Sequence, residues 1–290
     1  MKKVGYFFLC FVPMIFSISI QIFLSFPATG ICMMAEFAKA LISGNRISIM
    51  ELYNNLMTAI TTNTFTSLVS IAFSLSCIFI FGFWYKQQFS GNIKEFPKNL
   101  KKPMVFLSII FMVPGLQMLA SMVTSITSAL FPKWMEFYEK LIEAAGLSTD
   151  ITFLMLIYAV LLGPIGEELI FRGVTLASAK RALPFWAANL FQALLFGVFH
   201  MNVIQGIYAF FVGLFMGYVC ERGGSIYHSI LLHILFNAWG TLLPTNIMSN
   251  PVSAGILLIV SIFVGIAGFF MFRKNTTLHV VNILPDSSDM

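Results

Sequence analysis

Glu167, Glu168 and Arg172 interrupt a stretch that is otherwise apolar: from Ile151 to Gly166 there is no charged residue. The run reads Gly166-Glu167-Glu168-Leu169-Ile170-Phe171-Arg172-Gly173. Two later apolar segments each bring a histidine, Phe196-Gly197-Val198-Phe199-His200 and His233-Ile234-Leu235-Phe236-Asn237. A charge inside a bilayer costs roughly 2.5–3.5 kcal/mol on insertion scales, so it is tolerated mainly where function needs it. Two carboxylates, two imidazoles and a carboxamide suggest hydrolytic chemistry inside the membrane.

Helical spacing divides the labour. Residues four apart share a face, so Glu168 stacks over Arg172 with the acid N-terminal, the better orientation. Glu167 is rotated by about 100° and has no such intrahelical partner. Glu168 with Arg172 therefore holds structure, and Glu167 is free to act as a general base. His233 and Asn237 are also four apart and project from one face. Together they can donate hydrogen bonds to a developing oxyanion, a contribution of about 2.7–4 kcal/mol for one donor in a known protease. His200 can share activation of a water with Glu167. Gly163-Pro164 precede the acidic pair, and a proline there predicts a kink that opens space for water. His228 and His279 read as incidental.

The elements that must position these groups are membrane helices. Hydrophobic residues make up 58% of the chain and charged residues only 10%, against about 25% charged in a soluble domain. The apolar runs are far longer than the roughly 10-residue alternating strands of an outer-membrane barrel, which leaves an all-α, polytopic transmembrane bundle. Eight spans fit, at about 4–26, 63–85, 104–131, 151–172, 184–202, 205–220, 225–243 and 252–272. The organisation is three N-terminal spans with interfacial outer loops (1–150), a catalytic core (151–243), and a last span with a short tail (244–290). The first apolar run outlasts a signal-peptide core of 7–15 residues and reads as an uncleaved span.

The basic residues orient the map. With the N-terminus in the cytoplasm, the inner side holds Lys2, Lys3, Lys86, Lys94, Lys98, Lys101, Lys102, Arg172, Lys180, Arg181, Arg222, Arg273 and Lys274. Only Lys39, Arg46, Lys133 and Lys140 of the 17 basic residues fall outside. This bias predicts cytoplasmic termini. It also explains the net charge of +5 without a nucleic-acid partner. Trp134, Phe137, Leu141 and Ile142 recur at helical spacing and predict an amphipathic helix lying on the membrane; residues 36–57 suggest another. Cys10, Cys32, Cys77 and Cys220 show no CxxC spacing, and neither a disulfide framework nor a cysteine zinc site is supported. The tail from Asn275 is polar and is expected to be disordered.

The three motifs resemble those of the CPBP family, the CAAX proteases and bacteriocin-processing or immunity proteins also called Abi. Its EExxxR, FxxxH and HxxxN patterns stand here as Glu167-Glu168 with Arg172, Phe196 with His200, and His233 with Asn237, in order and on separate helices. The likeness covers about residues 150–240. It implies an integral-membrane endopeptidase in which Glu167 and His200 activate a water while His233 and Asn237 form the oxyanion hole. Glu168 and Arg172 would support the site and Phe196 would pack beside it. A bacterial plasma membrane suits such a chain, with peptide maturation or bacteriocin self-immunity as settings.

Glu167, His200 and His233 could also ligate zinc, since three protein ligands plus water make a catalytic site. There is no HExxH, and a Glu/His activation of water needs no metal, so the metal-independent route is preferred. One point constrains the fold. His200 falls roughly 24 Å along the fifth span at 1.5 Å per residue, whereas Glu167 and His233 lie nearer the cytoplasmic ends of theirs. A fourth helix continuing through Lys180 reconciles the depths, with a water-filled cavity opening to the cytoplasm. The competing reading is a non-catalytic immunity or scaffold protein that binds a bacteriocin or a membrane partner. A proton-relaying transporter is a third, but no inverted repeat supports it.

Overall fold

The computed structural model describes residues 2–43, 48–89, 100–144, 151–242 and 250–277. Among these residues every regular element is helical. In chain order they are α1 (Lys2–Leu9), α2 (Val12–Ser43), α3 (Ile49–Ile60), α4 (Asn63–Gln88), α5 (Pro103–Leu130), α6 (Pro132–Ala144), α7 (Phe153–Ala179), α8 (Phe185–Phe199), α9 (Val203–Gly223), α10 (Ile226–Leu242) and α11 (Pro251–Asn275).

Six of the helical stretches are long and apolar enough to cross a membrane: Val4–Ser43, α4, α5, α7, α9 and Val252–Asn275. α8 and α10 have 15 and 17 residues, short of the roughly 20 that a span requires. By length and composition alone six helical stretches qualify as crossings, and the expected eight would need α8 and α10 as well. The first stretch also departs from expectation. It is two helices parted at Cys10-Phe11, because Pro13 sits in the first turn of α2, where a proline opens a helix. α2 then runs through Pro27 to Ser43 rather than ending near Phe26.

α7 does continue past Arg172 to Ala179, ending just before Lys180. Glu167 consequently lies near the middle of this 27-residue helix. His200 ends the 15-residue α8, about 22 Å from its start. The depth mismatch inferred from a shorter fourth span disappears.

Two close helix crossings hold the bundle. α5 packs along α11, where a methyl group on Gly115 would lie 2.8 Å from the Gly265 Cα. α8 and α9 form an antiparallel pair, and a methyl group on Gly197 would lie 2.5 Å from the Gly206 carbonyl oxygen. Small residues allow such approach where lipid supplies no hydrophobic driving force between helices. Around these crossings lie two apolar cores. One joins α4, α7, α8 and α9 through Phe81, Ile170, Phe171, Val174, Phe196 and Ala209. The other joins α5, α9, α10 and α11 through Ile109, Leu116, Met216, Leu232 and Phe272.

α6 forms where the amphipathic pattern places it, with Trp134, Phe137 and Leu141 exposed as one stripe and Met135, Tyr138 and Ile142 turned partly inward. In the 36–57 region α2 and α3 are helical, while residues 44–47, including Arg46, lie outside the described residues. So do Lys94, Lys98 and the tail from residue 278. Cys10, Cys32, Cys77 and Cys220 are all free.

Candidate active site

α7 is the helix that carries the acidic pair, and its winding is irregular on both sides of it. Tyr158–Leu162 and Leu169–Leu176 are π-helical, and the α-helical turns Gly163–Glu168 lie between them. Single π turns concentrate at functional sites because they rotate side chains out of the α register. The helix begins with Thr152, whose hydroxyl accepts the Met155 N–H at 3.2 Å.

Pro164 stands in the first turn of the middle segment. In the π turn before it, the Gly163 N–H reaches the Tyr158 carbonyl, five residues back. The next bond in that register would run from residue 164 to Ala159, and proline has no N–H to give. The Ala159 carbonyl instead accepts the Asn237 side-chain amide at 2.8 Å. A proline is tolerated in a membrane helix when a neighbour re-satisfies the freed carbonyl in this way. The kink expected at Gly163-Pro164 is thus expressed as a change of helical register, with α10 bonded to it.

Glu168 is fully buried, as is the Arg172 side chain, and the guanidinium meets Glu168 Oε1 at 2.8 Å. The same Oε1 lies 2.9 Å from His233 Nδ1. A carboxylate engaged by arginine can only accept, so His233 Nδ1 carries the proton and donates it. In a neutral ring Nε2 is then bare. That nitrogen lies 3.6 Å from Glu167 Oε2. Glu167 keeps 17% of its side chain exposed, whereas His233 keeps 5%. The four groups form one line: Arg172, Glu168, His233, Glu167. For His233 to donate from Nε2 to an oxyanion, the ring must be in its imidazolium form.

Phe196 is the hub of the site. Its ring lies under the Arg172 guanidinium, 4.5 Å from carbon to centroid. It meets His200 edge to face at 5.0 Å and His233 at 5.9 Å. Phe171 backs it at 5.1 Å. His200 itself closes α8, with its backbone N–H on the Gly197 carbonyl. Met201 follows in the left-handed region, at φ 56°. Asn202 then caps α9, accepting the Gln205 N–H at 2.7 Å and returning its own amide to the His200 carbonyl at 3.1 Å. The loop that presents His200 is therefore tied at both ends.

All seven singled-out residues fall in this region. Glu167, Glu168, Arg172, Phe196, His200 and His233 are linked by the contacts above, while Asn237 shares the His233 face but turns to Ala159. Among the described residues no group of three His, Cys, Asp or Glu side chains stands together as a candidate metal site. A cleft opens beside Met201 and Asn202, at the end of α8. It has a volume of about 580 Å³ and an apolar lining that includes Leu194, Val198, Met201, Ile207 and Phe210, between α8 and α9.

Sequence reasoning passed over a second polar layer. Gln192 Nε2 donates to the Gly213 carbonyl at 3.0 Å and to Asn189 Oδ1 at 2.8 Å. Asn189 Nδ2 donates to the Leu214 carbonyl at 3.0 Å. The signal was available, since Gln192 stands four residues before Phe196 on the face that bears His200.

Residues 149–239 match the family model described as type II CAAX prenyl endopeptidase, Rce1-like. The match covers the three motifs and agrees with the CAAX-protease resemblance they carry. No curated protein and no solved structure matches the chain.

Proposed function

We propose that this multi-pass membrane protein is an endopeptidase that hydrolyses a peptide bond of a membrane-associated or hydrophobic peptide. The observation that carries the reading is the approach of Glu167 Oε2 to His233 Nε2 at 3.6 Å within a segment of Rce1-like sequence. At that separation one water oxygen can hydrogen-bond both atoms. Glu167 takes a proton from the water as its oxygen attacks the peptide carbonyl carbon, and His200, held by Phe196 and the Asn202 loop, completes the pocket for the water. The tetrahedral oxyanion is met by the second Asn237 N–H and by His233 in an imidazolium form that carries a solvent-derived proton on Nε2 before the attack and keeps it through collapse. Collapse breaks the C–N bond, and Glu167 returns the proton to the leaving amine.

In this reading Glu168 and Arg172 hold His233, and Phe196 separates and orients the rings. A Glu/His activation of water needs no metal, and zinc on Glu167, His200 and His233 is the outcome a chelator would reveal. The bias of Lys and Arg toward alternate loops of the sequence supports cytoplasmic termini, and the family resemblance suits a bacterial plasma membrane. The partners are the bilayer and the substrate. Binding of a bacteriocin without cleavage is the alternative.

Purified protein in detergent, given hydrophobic peptides in H₂¹⁸O, tests the reaction. Hydrolysis places one ¹⁸O in each new carboxyl terminus, with or without a chelator. Peptides bound but never cut would favour the non-catalytic alternative.

A further inference from the structure

Arg172 is held from two sides. Its NH1 meets Glu168 at 2.8 Å and its NH2 donates to the Gly213 carbonyl at 3.1 Å. That same carbonyl accepts Gln192 Nε2 at 3.0 Å. Gln192 has no exposed surface. Its second contact, to Asn189 Oδ1 at 2.8 Å, prevents the amide from turning away. α9 leaves room for this layer: a methyl group on Gly217 would overlap the Asn189 amide and lie 2.8 Å from Gln192 Nε2. A buried amide without partners costs more than an apolar residue of the same shape. Gln192 Oε1 and Arg172 Nε are both buried with no protein partner among the described residues, so burial alone does not explain a glutamine here.

We propose that Gln192 is a positioning residue: by sharing the Gly213 carbonyl with Arg172, it fixes the guanidinium that aligns Glu168 and thereby holds His233 with its proton on Nδ1. The consequence for catalysis rests on the peptidase reading; the consequence for His233 does not. With Gln192 gone, the Gly213 carbonyl no longer has a second donor fixing its environment, Arg172 gains freedom to swing, and the Glu168 oxygen that His233 needs is no longer in a single place. In the peptidase reading the substrate meets the Glu167 side of His233, so its binding is left unchanged.

The test uses Gln192→Met, which keeps the volume and removes both hydrogen bonds, and Gly217→Ala, which pushes the amide pair out of place. Thr127→Val, a buried hydroxyl bonded within α5, controls for general loosening. The first readout is the ¹⁵N spectrum of histidine-labelled protein in detergent, with the His233 signals identified by their loss in His233→Gln. Wild type and Thr127→Val show one His233 form protonated at Nδ1, and both amide-layer variants show it mixed with the Nε2 form. The second is peptide cleavage: kcat falls about tenfold or more in the two variants, as expected for a misplacement of order 1 Å, while KM stays within about twofold. A wild-type His233 spectrum in Gln192→Met overturns the proposal. If the spectrum changes but wild-type protein cuts no peptide, the positioning stands and the peptidase reading falls. If cleavage depends on Glu167 while Gln192→Met retains both spectrum and kcat, the reading stands and the positioning role falls.

Discussion

Asn237 donates its side-chain amide to the Ala159 carbonyl across 2.8 Å, the bond that Pro164 cannot make in the π register of α7. A proline in one helix and a carboxamide in another are thus two halves of one arrangement, and the second half sits a turn from His233. The geometry also fixes which end of the amide is nitrogen, because a carbonyl needs a donor.

Removing Asn237 should therefore cost more with Pro164 present than without it. Asn237→Ala leaves a partly buried carbonyl unpaired, at about 1 kcal/mol or more. In a Pro164→Ala background the restored N–H can serve Ala159, and the same change should cost about 1 kcal/mol less. Thermal unfolding of the four proteins in detergent gives this coupling as a double-mutant cycle. Additive effects would show that the two residues act separately.

The two adjacent glutamates should separate stability from activity. Glu168→Gln leaves the Arg172 charge buried without its partner, a change that typically costs about 3–5 kcal/mol. Glu167 has no arginine contact, and Glu167→Gln should leave the unfolding temperature close to wild type. Equal destabilisation by the two substitutions would contradict the assignment of Glu168 as the structural member.

The His200 loop makes a third prediction. Met201 at φ 56° occupies a region that costs a non-glycine residue roughly 1–2 kcal/mol, so Met201→Gly should stabilise the protein if the loop geometry is retained. Asn202→Ala removes a helix cap, worth about 1 kcal/mol, and unties the His200 carbonyl. Cleavage should fall in Asn202→Ala and not in Met201→Gly. The opposite order would mean that the strain at Met201, and not the tie from Asn202, sets the His200 geometry.

Much of this arrangement can be read along the chain. Apolar run length placed α4, α5 and α8 to α11 within a few residues, because a membrane helix must satisfy its own backbone. The Glu168–Arg172 pair followed from i,i+4 spacing alone. The break at Cys10-Phe11 was missed because both sides are equally apolar and only Pro13 marks it. The π turns of α7 were missed for a different reason: Pro164 marks a break in the helix but not its form, and the carbonyl freed at Ala159 is met by Asn237, far along the chain. Asn189 and Gln192 look like isolated polar residues in an apolar helix until α9 supplies the Gly213 and Leu214 carbonyls that they reach.

The central claim is that Glu167 performs the proton transfer. Its most direct measurement is the single-turnover cleavage rate of a labelled hydrophobic peptide by wild type and Glu167→Gln, each with and without chelator, on protein of matched unfolding temperature. The account predicts cleavage by wild type unaffected by chelator and a loss of about 10²–10⁴-fold in Glu167→Gln, the range for a general base. A Glu167→Gln protein that cuts at the wild-type rate would contradict it.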